Sequence, residues 1–436
     1  VWWVWCSVWF LAQADLDALL LGASSQPHPL GVASEQVEKK EPLFQMGGLF
    51  FSRIESAFYE KVSLKKNVLV FPQMLDVFVD VRAHPRVRAF ARGRVKYNPA
   101  SSASLGFNAG FATAQNGVFL DQLWLKYDVW DTVFLTVGRQ AVRFGAARFW
   151  NPTDTVNPAR RNPWAVFDDR TGADVVKAQI PLPALGTTLY ALVSPGVDGF
   201  LGSLGGVLRA EVLMKHMEWA FTASYHQNQP IRVGVDASGS WGPVDFWMEH
   251  ALLYKDPQPF YTGSLDVKTF QEPQPHDRSS VWLSQSVWGL ETGFKYNDQD
   301  AVRVGVEYFW NRRGYASSDL YPYLLYQNAF HPLFMGKHYV AGYVFLDKPF
   351  VFNNSSWTFS ALGNASDRSW LTRFDLKTEW FQRVVGNFFV AYHGGGNGEL
   401  HYQLHLPPVA FVQGLEKGVD VFAVSFEAGL GLRVSF

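Results

Sequence analysis

The sequence predicts an all-β fold: a transmembrane antiparallel β-barrel of sixteen to eighteen strands, with eighteen in the element-by-element reading. Three observations predict it. First, residues 422–436 alternate strictly. Phe422, Val424, Phe426, Ala428, Leu430, Leu432, Val434 and Phe436 are apolar, and the odd positions, with Glu427 and Arg433, are small or polar. One greasy face and one wet face is the pattern of a strand between lipid and a polar lumen. Second, Phe, Tyr and Trp make up 16% of the chain and charged residues only 18%. Hydropathy is near neutral, and no apolar run reaches the ~20 residues of a spanning helix. Third, tight and long connections alternate along the chain, as short turns and long loops do at the two ends of a barrel.

The elements follow in order. Residues 1–14 are an apolar run ending Ala12-Gln13-Ala14, expected to be a signal peptide cleaved before Asp15. The run begins on Val without a basic flank, so the true start is expected upstream. Cys6, the sole cysteine, lies inside it, which leaves no disulfide framework in the mature chain. Residues 15–45 are polar and read as a periplasmic extension or plug, and 46–436 as the barrel. Strands are expected near 46–60, 75–82, 86–97, 117–129, 132–140, 172–180, 187–194, 206–215 and 217–227. The second nine are expected near 231–238, 243–254, 286–297, 301–312, 338–347, 355–365, 369–380, 383–393 and 422–436. Tight turns fall at 83–85, 130–131, 298–300 and 381–382, each after an even-numbered strand. Long loops at 98–116, 141–171, 255–285, 313–337 and 394–421 each follow an odd one, which places both barrel ends in the periplasm.

Alternation also assigns the lumen. Arg86, Arg88, Phe90, Arg92, Arg94 and Lys96 share one face of the third strand. A mid-depth Arg in lipid costs roughly 2–4 kcal/mol, so this face must be the inner one. On the second strand Asp76, Phe78, Asp80 and Arg82 face in. A three-residue turn would set Asp80 opposite Arg88, Phe78 opposite Phe90 and Asp76 opposite Arg92. Arg88 and Arg92 then read equally as structural mortar, whereas Arg86, Arg94 and Lys96 have no carboxylate opposite and are expected to draw anions. Arg373, Asp375, Lys377 and Glu379 face in on the sixteenth strand, Arg303 and Glu307 on the thirteenth, and Arg383, Asn387 and His393 on the seventeenth. An interior charged with both signs implies water inside rather than a packed apolar core.

The segment from Gly138 to Pro158 carries a family resemblance. Gly138-Arg139-Gln140, Phe144-Gly145, Asn151-Pro152 and Asn157-Pro158 resemble a segment of porin-like bacterial outer-membrane barrels, the alginate-export-like group among them. The closing strand with its terminal Phe436 resembles that of outer-membrane proteins. The resemblance implies an outer-membrane channel for passive diffusion of small solutes, anions as a candidate class. It also implies surrounding outer-membrane lipid and insertion by the barrel-assembly machinery through the C-terminal strand. By similarity, the loop at 141–171 is expected to fold inward and narrow the pore through Arg143, Arg148, Asp154, Arg160, Arg161, Asp168 and Arg170. The alternative is a surface cap stapled by its own salt bridges and Asx-Pro turns.

Other chemistry finds little support. His401 and His405 are ~13 Å apart on a strand, too far for one metal ion. The glycines from Gly196 to Gly206 lack the Lys-Ser/Thr of a phosphate cradle. No spacing assigns a nucleophile and a base, so no catalytic residue and no cofactor are expected. A net charge of −1 gives no global attraction to nucleic acid. Two rival readings remain: a fatty-acid-type transporter for hydrophobic substrates, with 15–45 as its plug, and a structural or adhesive barrel acting through its loops.

Overall fold

The computed structural model describes residues 42–63, 67–99, 116–157, 162–164, 170–195, 204–265, 271–296, 301–406 and 418–436. The expected signal peptide and most of the 15–45 extension lie outside these residues. Among the described residues, eighteen long strands form one ring. They begin with β1 (Phe44–Tyr59), β2 (Gln73–His84), β3 (Val87–Tyr97), β4 (Gly117–Val129), β5 (Val133–Gln140) and β6 (Ala173–Leu182). Next come β7 (Thr187–Ser194), β8 (Gly205–Met214), β9 (Met217–Tyr225), β10 (Ile231–Trp241), β11 (Val244–Tyr254) and β12 (Leu283–Lys295). The ring ends with β13 (Ala301–Asn311), β14 (His338–Asp347), β15 (Ser355–Asn364), β16 (Ser369–Trp380), β17 (Val384–Gly395) and β18 (Val424–Ser435).

Each strand pairs antiparallel with its chain neighbours. β18 then closes on β1, from Leu49↔Ser435 to Tyr59↔Val424. Phe436 and Gly48 exchange backbone hydrogen bonds of 2.9 and 3.0 Å at the seam. Closure matters because lipid offers no partner for an open sheet edge.

The outer face is apolar. Phe426, Leu430 and Leu432 of β18 are exposed while Glu427 and Arg433 are buried inward, as the alternation predicts. Val424 is the exception: it is only 2% exposed. The ladder slips between Phe58 and Tyr59 there, and a bulge re-aims the residues beside it. Exposed aromatics ring both rims. Trp130, Trp241, Phe350, Phe381 and Phe436 lie at the short-turn end, and Tyr97, Tyr225, Trp370 and Tyr392 toward the long-loop end. Such side chains, apolar with a polar handle, suit the lipid–water boundary.

The β2–β3 hairpin corrects the expected register. The turn is Pro85-Arg86, with His84 opposite Val87 and an irregularity between Val81 and His84. Asp76 therefore stands opposite Arg94, Phe78 opposite Arg92, and Asp80 opposite Phe90. The inner and outer faces survive this shift, because it is an even number of residues.

The long connections lie at one end: L1 (60–72), L2 (98–116), L3 (141–172), L4 (195–204), L5 (226–230), L6 (255–282), L7 (312–337), L8 (365–368) and L9 (396–423). L7 carries a short helix, α1 (Tyr321–Tyr326). L6 and L9 each carry a small hairpin, 260–262 with 274–276 and 404–406 with 419–421.

Candidate functional site

L3 leaves the wall between β5 and β6 and crosses the bore. Val142 and Phe144 first pack on the near wall, against Val175, Tyr190, Leu192 and Val207 of β6–β8. The Arg209 guanidinium lies 4.7 Å from the Phe144 ring centroid and is held by Asp236 at 2.7 and 2.9 Å. Beyond Gly145 the loop reaches the far wall. Gly145 has φ +95°, and a Cβ there would meet the Glu249 carboxylate at 2.4 Å. Only a residue without a side chain lets the backbone turn so close to that carboxylate.

Two carboxylates on the far wall hold the loop. Glu249 of β11 accepts the Ala147 N–H at 2.8 Å and the Asn151 amide at 3.0 Å. Its second oxygen accepts the Thr153 N–H at 3.1 Å and the Thr153 hydroxyl at 2.7 Å. Glu307 of β13 accepts the N–H groups of Arg148 (2.8 Å), Phe149 (3.0 Å) and Trp150 (3.0 Å), and the Trp247 indole N–H at 2.8 Å. A buried loop must satisfy its own backbone donors. Here wall carboxylates do so with charge-assisted bonds, which are stronger than neutral ones.

Around these anchors the lumen is packed. Phe149, Trp150 and Trp164 of L3 form a buried cluster with Trp247, Phe309, Tyr339, Leu362 and Leu371 of the wall, Leu333 of L7 and Leu400 of L9. The Trp150 ring stacks on Phe309 at 5.3 Å and its N–H donates to the Leu333 carbonyl at 3.0 Å. Gly289 makes room: a Cβ there would lie 2.1 Å from the Trp247 side chain. The expectation that charged inner faces exclude a packed apolar core is thus overturned along β11–β16. Period-two alternation shows which residues point inward, but not that distant loops will cover them.

The residues expected to line the pore are distributed as follows. Arg88 is paired with Asp80 at 2.7 Å. Arg94 is not uncompensated: Asp76 takes it in a bidentate pair at 2.8 and 2.7 Å, and Asp121 of β4 lies 3.4 Å away. Arg92 pairs with Asp121 at 3.3 Å, not with Asp76. Arg86 sits exposed in the turn and Lys96 is half-buried. Arg373 pairs with Asp375 at 2.6 Å and Lys377 with Glu379 at 3.4 Å.

Of the loop residues, Arg148 is nearly half exposed and reaches Glu291 at 3.2 Å. Arg143 is exposed. Arg170 pairs with Asp154 at 3.1 Å. Burial pushes the Asp154 carboxyl up, with Arg170 and Asn157 opposing. Arg160, Arg161 and Asp168 lie outside the described residues. His401 bonds Glu60 at 3.0 Å and His405 bonds Asp420, so the two histidines have separate partners.

The sequence reading missed Glu249, Trp247 and Asp121. Glu249 shares an inward face with Trp247, Ala251 and Leu253. A carboxylate alone among apolar inward residues was the available signal, because it needs buried donors.

No family model matches the chain, and no curated protein matches it in sequence. Solved structures do match. OccK11 (OpdR) of Pseudomonas aeruginosa matches at 9% identity and TM-score 0.52, over 90% of this chain and 96% of that one. The likeness is one of fold. OccAB1 of Acinetobacter baumannii matches at 11% identity and TM-score 0.54, over 92% and 99%. The outer membrane protein OpdK of P. aeruginosa matches at 9% and 0.53, over 90% and 98%.

Proposed function

We propose that the chain is a porin-like channel of the bacterial outer membrane, through which small water-soluble molecules diffuse passively. The observation that carries this reading is L3, held across the bore by Glu249 and Glu307. A barrel working only through its surface loops has no need of such a bar. A closed ring with an apolar outside is what lipid requires, and L3 sets the size of what can pass. In this reading residues 1–14 are the leader, 15–45 the periplasmic extension, and β18 the segment offered to the assembly machinery. The finer resemblance, to alginate-export-like barrels, is carried by residues 138–158.

A fatty-acid-type transporter is less well supported. The apolar cluster under L3 is filled with side chains, and the larger cavity at the loop end is lined mainly by amides and charges. The β3 ladder by itself does not support strong anion preference, since Arg88, Arg92 and Arg94 are all ion-paired. The test is a planar-bilayer recording of the purified, refolded barrel. Discrete ohmic current steps are expected. A folded barrel giving no steps would overturn the channel reading in favour of a structural one.

A further inference from the structure

At the long-loop end, L3, L5, L6, L7 and the starts of β10 and β12 line an open cavity of about 510 Å³. That is the size of a small-molecule site. Its charged lining is Asp154, Arg232, Asp256 and Arg313, set among amides from Asn157, Gln229 and Gln258. An adjoining recess shares Gln258, Gln285, Arg313 and Phe334, and adds Arg278.

The carboxylates here are already engaged. Asp256 holds Arg313 in a bidentate pair, at 2.8 Å on both oxygens. Asp154 holds Arg170 at 3.1 Å and Asn157 at 2.8 Å. Two arginines remain. Among the described residues Arg232 donates only to backbone carbonyls, those of Pro152 at 3.0 Å and Asp154 at 3.3 Å. Arg278 is 9% exposed, lies over the Phe260 ring at 3.8 Å, and its buried Nε has no hydrogen-bond partner among the described residues. Among the described residues neither has a carboxylate at ion-pair distance. Burial pushes the Arg278 guanidinium down, and Arg313 adds to that effect while Asp256 opposes it. With Asp154 on Arg170 and Asp256 on Arg313, the described carboxylates of the lining are taken, and the charges of Arg232 and Arg278 are in excess of them.

Buried cations without a counter-ion are costly unless a ligand supplies the charge. We infer that this vestibule binds a doubly charged oxyanion carried by a small polar solute, with Arg232 and Arg278 as the ligand's cationic partners. Two excess charges match a dianion, the planar guanidinium fork matches phosphate or carboxylate oxygens, and the surrounding amides match solute hydroxyls. Arg232 also grips the Pro152 and Asp154 carbonyls of L3, so the site adjoins the bar across the bore. The biological use of the site rests on the channel reading; binding itself does not.

The test is isothermal titration of the detergent-folded barrel with inorganic phosphate at pH 8, with succinate and with acetate. Saturable binding of phosphate or succinate is expected, with acetate at least about tenfold weaker. The stronger of the two dianions assigns the ligand as a phosphate ester or a dicarboxylate. Arg278→Gln, which leaves L3 untouched, should weaken the dianion by about tenfold or more, and Arg278→Lys should recover part of that loss. Acetate binding as tightly as the dianions would overturn the inference. So would full dianion affinity in folded Arg278→Gln, or no saturable binding at all. Conductance is measured separately, so a barrel that binds without conducting would overturn the channel reading alone.

Discussion

Glu307 on β13 accepts the Trp150 N–H at 3.0 Å, across a sequence separation of 157 residues. That bond ties the tip of L3 to the wall opposite its root. The same carboxylate takes the N–H groups of Arg148 and Phe149 and the indole of Trp247. One side chain therefore fixes the loop backbone and an aromatic of the wall together.

Glu307→Gln keeps the shape but replaces one accepting oxygen with an NH2 group. At least one of its donors is then left buried and unpaired, at about 1–3 kcal/mol each. L3 should loosen, and single-channel conductance and open-channel noise should both rise. Glu249→Gln should act in the same direction through Ala147 and Thr153. Wild-type conductance and noise in both variants would show that the packed aromatics alone hold the bar.

Gly289→Ala places a methyl group 2.1 Å from Trp247. The indole must move, and its bond to Glu307 goes with it. Overpacking of this kind costs about 1–3 kcal/mol, read as a lower melting temperature in a heat-modifiability gel. Gly93→Ala is the matched control, because a Cβ there meets nothing within 4 Å. Equal melting of the two variants would refute the proposed role of Gly289.

The strands were legible in the sequence because a lipid-facing strand has a period of two, and that signal is local. The inner faces were legible for the same reason: Glu427, Arg433 and Glu307 point where alternation puts them. The β2–β3 register was not, because a bulge before His84 changes the pairing without changing the pattern. The anchors were harder still. Nothing near Glu249 announces that residues 147–153 will arrive there, since contacts across the bore are set by the closed ring rather than by neighbours in sequence. Gly145, Asn151 and Asn157, singled out by resemblance, prove to be parts of the loop's own scaffold.

The packing of L7 against L9 should depend on pH through Glu399 of L9. Burial raises its carboxyl from 4.5 to about 8, with Asp367 adding to the shift and Tyr339 opposing it. It accepts from Tyr339 at 2.5 Å, from Asn364 at 3.0 Å and from the Leu333 N–H. Because the folded value lies above the unfolded one, the folded state holds a proton that the unfolded chain has released between about 4.5 and 8. The contribution is complete below the unfolded value and is lost as pH rises through about 8, at roughly 1.4 kcal/mol per unit at most. Melting temperature should fall from pH 5 to pH 9, and Glu399→Gln should flatten that fall. An identical slope in the variant would place the titrating group elsewhere.

The Arg94–Asp76 pair separates mortar from selectivity. Both partners are buried, the bond is bidentate at 2.8 and 2.7 Å, and Asp121 stands within 3.4 Å. Arg94→Gln strands Asp76, and breaking a buried pair from one side costs about 3–5 kcal/mol. Its main effect should be on folding yield and melting temperature, with little change in reversal potential among molecules that do fold. Arg86→Gln, at the exposed turn, should leave stability within about 0.5 kcal/mol. Asp121→Asn removes a carboxylate shared by Arg92 and Arg94, so it too should lower the melting temperature far more than it moves the reversal potential. If Arg94→Gln instead melts like wild type and shifts the reversal potential toward cations, then Arg94 serves the passing ion and not the wall.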